Sequence, residues 1–139
     1  MVRVRVHQVR WHDVKAVFSV DFSDELNLLA TAGADSKVCL WRVAYDEQQQ
    51  VDVRHVASLA RHTNPVNVVR FAPRGAVVAS GGDDGHVFIW SRTAFGSGID
   101  EVWKTLSVLG ARQAVYDLAW SPDGARLVVG SIDNVGTVF

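Results

Sequence analysis

Apolar residues along this chain come in short runs separated by polar and glycine-rich breaks, and no window of helical length keeps a period of 3.6. Alternation is clear in Val2-Arg3-Val4-Arg5-Val6, and compact apolar stretches recur at Val17 to Phe22, Val66 to Phe71 and Val87 to Trp90. Turn-forming clusters lie between them: Ala72-Pro73-Arg74-Gly75, Gly81-Gly82-Asp83-Asp84-Gly85 and Ser121-Pro122-Asp123-Gly124. Valine supplies 25 of the 139 residues, and a side chain branched at Cβ suits a half-buried pleated strand. The pattern predicts an all-β chain of antiparallel hairpins.

The chain also repeats itself. With 17–41, 66–90 and 115–139 aligned, Phe22, Phe71 and Trp120 fall at intervals of 49 residues. Asp35, Asp84 and Asp133 keep the same interval, as do Trp41, Trp90 and Phe139. A period in the forties with four short strands per unit marks a β-propeller blade. The first unit shows the expected order: inner strand Val17 to Phe22, second strand Leu28 to Ala32, a tight turn holding Asp35, and third strand Val38 to Trp41. A polar loop from Tyr45 to Gln50 then leads to an outer strand at Val51 to Val56, and Phe95 to Gly98 is the matching loop of the second unit. Three units are expected, roughly 11–60, 61–109 and 110–139, with residues 1–10 forming a strand ahead of the first. A closed ring needs at least about four blades of roughly 40–45 residues each. The chain is therefore expected to form an incomplete propeller, an open arc of about three blades with unpaired edges.

Composition narrows the chemistry. Apolar residues make up 48% and charged ones 21%, enough apolar side chain for a packed core. The 14 Lys+Arg against 15 Asp+Glu leave a formal charge of −1, so bulk charge does not hold this chain to nucleic acid. The single cysteine, Cys39, excludes an internal disulfide and fits a reducing compartment. No apolar run reaches the roughly 18 residues of a membrane span, and Arg3 and Arg5 break the N-terminal valines, unlike a signal peptide. His7, His12, His55, His62 and His86 never fall in a metal-ligand spacing, so no metal is expected. His62, Ser80 and Asp84 are the residue types of a hydrolase triad, but Ser80 lies inside a strand without a nucleophile elbow. Gly81, Gly82 and Gly85 precede no helix and form a hairpin turn, not a phosphate-binding loop. Arg3, Arg5 and Arg10 read as a solvated strand face. No catalytic residue, cofactor, membrane contact or direct nucleic-acid site is expected.

The repeats resemble those of the WD40 family, which implies that the strand within residues 1–10 belongs to the closing blade as its outer strand. In that family a His before the inner strand, a Ser/Thr on the second strand, the turn Asp and the third-strand Trp form a hydrogen-bonded tetrad. By position the resemblance implies a tetrad of His62, Ser80, Asp84 and Trp90 in the second unit. In the first it implies His12, Thr31, Asp35 and Trp41, with His12 one residue further from its strand. The third unit keeps only Asp133, since Ala111, Val129 and Phe139 take the other places. The family's Gly-His and Trp-Asp dipeptides are replaced by Trp11-His12 and Arg61-His62, and by Trp41-Arg42 and Trp90-Ser91.

Residues outside the generic pattern carry a narrower resemblance. Leu59-Ala60-Arg61-His62-Thr63, Val66-Asn67-Val68-Val69-Arg70-Phe71 and Ala79-Ser80-Gly81-Gly82-Asp83-Asp84 are similar to the middle, WD40 subunit of chromatin assembly factor one. Trp11-His12, Val115-Tyr116-Asp117 and Asp133-Asn134 point the same way. The HIR-type histone chaperone shares the Val-Asn, Gly-Gly-Asp-Asp and Asp-Asn elements but less of the Arg-His-Thr segment. The resemblance covers the chain from end to end and implies the N-terminal part of such a subunit. It further implies a nuclear, non-catalytic scaffold in a complex that deposits histones H3–H4 on replicated DNA. The other subunits would be direct partners, and H3–H4 with its histone chaperone indirect ones. A HIR-type subunit, or a generic WD40 adaptor of an unrelated complex, is the alternative. The partner-binding rim is expected where loops before the inner strands meet the Asp turns, at Lys15, Ser36, Arg61, Thr63, Asn64, Asn67 and Asp83.

Overall fold

The computed structural model describes residues 12–95, 101–133 and 136–139. The strand expected within 1–10, the loop at 96–98 and Asn134 lie outside the described residues. Among the described residues eleven strands form three antiparallel sheets in chain order. The first sheet contains β1 (Val17–Ser23), β2 (Leu28–Gly33), β3 (Val38–Tyr45) and β4 (Val51–Leu59). The second repeats the arrangement with β5 (Val66–Phe71), β6 (Val77–Gly82), β7 (His86–Phe95) and β8 (Glu101–Gly110). The third has β9 (Val115–Trp120), β10 (Leu127–Ser131) and β11 (Gly136–Val138). The fold is a WD40 β-propeller arc, and among the described residues its sheets do not close into a ring.

Register follows the repeat. Trp41 lies opposite Leu29, and Trp90 opposite Val78. Phe139 exchanges both backbone hydrogen bonds with Leu127, which is the same position in the third sheet. The third strands run past their aromatics, to Tyr45 and Phe95, further than the apolar pattern alone indicates. The extension exists because β3 pairs with β4 as far as Tyr45 opposite Val51, with a bulge beside Trp41. Asp46 then closes the polar hairpin by accepting the Gln48 and Gln50 amides.

Successive sheets stack face to face in one sense. Leu28, Ala30, Ala32, Val38 and Leu40 of the first sheet pack against Val69, Phe71, Val78, Phe88 and Trp90 of the second. The opposite face of the second, with Val68, Ala79, Val87 and Ile89, packs against Val115, Leu118, Leu127 and Val129 of the third. Each interface alternates β-branched and small residues across the pleat, and each buried side chain of valine size or larger contributes about 1.5–3 kcal/mol. Among the described residues no sheet packs on the first sheet's remaining face. Phe18, Val20 and Phe22, every second residue of β1, are about half exposed there. The inner strands β1, β5 and β9 lie side by side, and side chains satisfy their facing backbone. Ser19 Oγ accepts the Val69 amide at 3.2 Å and Asp21 Oδ2 the Phe71 amide at 2.7 Å. Trp120 Nε1 donates to the Arg70 carbonyl at 3.2 Å.

Candidate functional site

The structure brings each set of four residues together. In the first blade Trp41 Nε1 donates to Thr31 Oγ1 at 2.9 Å, and the same oxygen lies 2.9 Å from His12 Nε2. His12 Nδ1 is 2.7 Å from Asp35 Oδ1, and Asp35 also accepts the Lys37 amide at 3.2 Å. The second blade repeats this with Trp90 Nε1 on Ser80 Oγ and Ser80 Oγ on His62 Nε2, both at 2.9 Å. Asp84 then receives His62 Nδ1 at 2.9 Å and the Thr63 and His86 amides at 3.1 Å each. One proton arrangement satisfies the whole chain of bonds. With the indole donating to the hydroxyl oxygen, the hydroxyl donates to Nε2 and the neutral imidazole donates from Nδ1 to the carboxylate. His12, Thr31, His62 and Ser80 are all buried, and burial lowers the His62 pKa against the pull of Asp84, which favours that neutral form.

This geometry is incompatible with nucleophilic catalysis by Ser80. Its hydroxyl has no exposed surface and is already held between the Trp90 indole N–H and His62 Nε2, so no reacting group can reach it. Cys39 is buried as well, 3.8 Å from the Ser58 hydroxyl, and desolvation pushes its thiol pKa up. Among the described residues no group of three His, Cys, Asp or Glu side chains could hold a metal ion.

The rim residues occupy paired loops. In the second blade the Asp83 amide donates to the Pro65 carbonyl, which ties the Asp turn to the loop before the inner strand. The first blade has the same clamp, from the Ala34 amide to the Ala16 carbonyl. Gly82 permits the clamp, because a Cβ there would stand 2.5 Å from the Pro65 carbonyl oxygen. Arg61, Thr63, Asn64 and Asp83 are exposed on this loop pair, with the Arg61 guanidinium 5.5 Å above the Phe88 ring. Asn67 does something different from its neighbours: its Nδ2 donates to Asp83 Oδ1 at 2.7 Å and to the Val115 carbonyl at 3.0 Å, so it joins the second blade to the third. Lys15 and Ser36 sit on the equivalent loops of the first blade, Ser36 at a φ of 65° in the turn.

A second inter-blade joint was not apparent from sequence reasoning. The Glu101 carboxylate is 8% exposed and bonds Arg42 of the first sheet, Arg92 at 3.4 Å and Trp103 Nε1 at 3.1 Å. Arg42 directly follows Trp41, where the WD40 pattern has its Asp, so that departure was the available signal. The third unit has no His or Trp at its tetrad places: Val129 is buried, Phe139 is 42% exposed, and Asp133 accepts from the Ser131 hydroxyl.

A family model described as the CAF1B/HIR1 beta-propeller domain matches residues 2–139. The B subunit of chromatin assembly factor 1 from Schizosaccharomyces pombe is 36% identical over an alignment of 151 residues, covering 96% of this chain and 29% of that protein. Protein HIRA from Xenopus laevis is 33% identical over 148 residues, covering 92% of this chain and 15% of that protein. The chain thus spans less than a third of either relative's length. Among solved structures, Sqt1 from Chaetomium thermophilum superposes with a TM-score of 0.72 at 19% identity, over 88% of this chain and 30% of that one, a likeness of fold alone.

Proposed function

This chain belongs to the CAF1B/HIR1 β-propeller family, and on that premise we propose that it is a non-catalytic scaffold of a nuclear complex that deposits histones H3–H4 on replicated DNA. The observation that carries the reading is the family match across 2–139, joined to 36% identity with the B subunit of a chromatin assembly factor 1. The chemistry supports a scaffold: the polar residues that could have formed a triad are fully engaged in holding β-strands together. The other subunits of the complex are its direct partners, with H3–H4 and its chaperone held through them. The rim at Arg61, Thr63, Asn64 and Asp83, with Lys15 and Ser36 one blade away, is the surface offered to those subunits. A near-neutral charge gives little long-range attraction for a basic histone, which favours indirect contact.

The likeness to Protein HIRA supports a second reading, a HIR-type chaperone subunit. Affinity purification of the tagged protein from dividing cells, with quantitative mass spectrometry, separates the two. Recovery of the other chromatin assembly factor one subunits with H3–H4 is the expected result. Recovery of a HIR-type complex, or of an unrelated assembly without histones, would overturn the proposal.

A further inference from the structure

The second sheet is packed on both faces, against the first sheet on one side and the third on the other. Its outer strand β8 is therefore held by neighbours already in place. Along β8 three large apolar side chains nevertheless face solvent: Val102 at 42%, Leu106 at 66% and Val108 at 43% exposure. The outer strand of the first sheet, β4, displays no such residue. Its exposed positions are Arg54, His55 and Ser58, and Arg54 pairs with Asp52 at 2.6 Å. Charge blunts a strand edge against foreign strands, and β4 carries that protection.

The two outer strands differ most at a shared feature. Each has a one-residue bulge beside the Trp of its blade, at Val56 between His55 and Ala57 and at Leu106 between Thr105 and Ser107. Val56 packs on the core between the first two sheets, whereas Leu106 at the same place projects outward. β8 runs for ten residues without a proline, and Glu101 at its start turns in to Arg42 and Arg92. The one remaining charge on the strand is Lys104, which is exposed. The arginine ion pairs of the described residues engage Arg42, Arg54, Arg70 and Arg92, and none of their carboxylates reaches Lys104. Among the described residues β8 pairs only with β7, so backbone N–H and C=O groups along its other edge have no strand partner. We propose that β8 is a docking edge for an extended segment of another subunit of the complex, added to the second blade as a fifth strand. The segment would carry apolar side chains to meet Val102, Leu106 and Val108, and a carboxylate to meet Lys104. This inference rests on the scaffold reading above and adds a second contact surface to the rim.

The test assembles the full chain with the other chromatin assembly factor one subunits and follows backbone hydrogen exchange by mass spectrometry. In the complex the amides of 101–110 should exchange about tenfold or more slowly than in the chain alone, and those of 51–59 should be unchanged. Leu106→Asp and Lys104→Glu should each remove that protection, whereas Arg54→Glu on β4 should not. All three side chains are exposed, so the thermal midpoint of the chain alone should stay within about 3 °C of wild type. Assembly without slowed exchange at 101–110, equal slowing at 51–59, or protection that survives either β8 variant would overturn the docking edge and leave the scaffold reading standing. Protection that arises in the chain alone as its concentration is raised would make a second copy the occupant and overturn the partner strand. Failure of the subunits to assemble with the wild-type chain would overturn the scaffold reading, and this inference with it.

Discussion

Ser80→Ala tests the energetic logic of the complete blades. The Ser80 hydroxyl has no exposed surface, accepts from the Trp90 indole at 2.9 Å and donates to His62 Nε2 at 2.9 Å. Its removal leaves a buried donor and a buried acceptor without partners, and neither can turn to water, since Trp90 is 4% and His62 7% exposed. Each such orphan costs about 1–3 kcal/mol, so the variant should lose about 2–4 kcal/mol, a large share of the roughly 5–15 typical of a domain. Trp90→Phe removes the donor but leaves Ser80 bonded to His62, and should cost about 1.5–3 kcal/mol through lost ring area and one hydrogen bond. In the double variant the indole N–H is gone, so Ser80→Ala strands one group rather than two. The costs should therefore fall short of additivity by about 1–2 kcal/mol. Urea unfolding at about pH 7.5 of the wild type, both single variants and the double measures this. Costs that add to within about 0.5 kcal/mol would refute the tetrad as a coupled unit.

Three further outcomes are expected. Burial holds the His62 pKa below its ordinary 6.5. Its neutral form is favoured on folding, so its contribution to stability is complete above about pH 6.5 and is lost as pH falls from there toward the folded value. Urea midpoints of the wild type and His62→Gln measured from about pH 8 to 5 should converge as the pH drops; parallel curves would contradict this. Glu101→Gln leaves Arg42 and Arg92 without their shared carboxylate. It should cost about 1–3 kcal/mol, less than a fully buried pair, because the Arg42 side chain is 41% exposed; thermal unfolding reads the loss. Joint charge reversal, Arg61→Glu with Asp83→Lys, should weaken pull-down of the other assembly-factor subunits while costing about 1–2 kcal/mol of unfolding free energy, through the Asn67–Asp83 hydrogen bond and the Arg61–Phe88 contact, and unchanged capture would remove these residues from the interface.

The parts of this fold legible in the sequence are those in which one residue type serves one purpose at a fixed interval. The aromatics and turn aspartates keep the 49-residue period because each blade needs the same strand end and the same turn. The inner, second and third strands of each sheet fall where apolar runs lie between turn clusters. Outer-strand pairing was less visible: β4 and β8 are partly exposed and carry charges among their valines, so period and hydropathy weaken there. Interactions between blades were the hardest to read. Asn67 looks like any polar residue at the start of a strand until the Val115 carbonyl arrives from 48 residues away. Glu101 shows its role only once Arg42, 59 residues earlier, is folded against it. The degenerate third blade was half legible, since Ala111, Val129 and Phe139 announced the missing tetrad, whereas Thr137 comes opposite Val129 only in register.

Capture of newly replicated DNA tests the proposed role most directly. Chromatin is isolated on DNA labelled for a few minutes, then again after an unlabelled chase, and the protein is quantified on each. A scaffold of replication-coupled histone deposition should be enriched on freshly labelled DNA together with the other assembly-factor subunits, and should decline with them during the chase. Equal amounts on new and matured DNA, or enrichment without those subunits, would contradict the account.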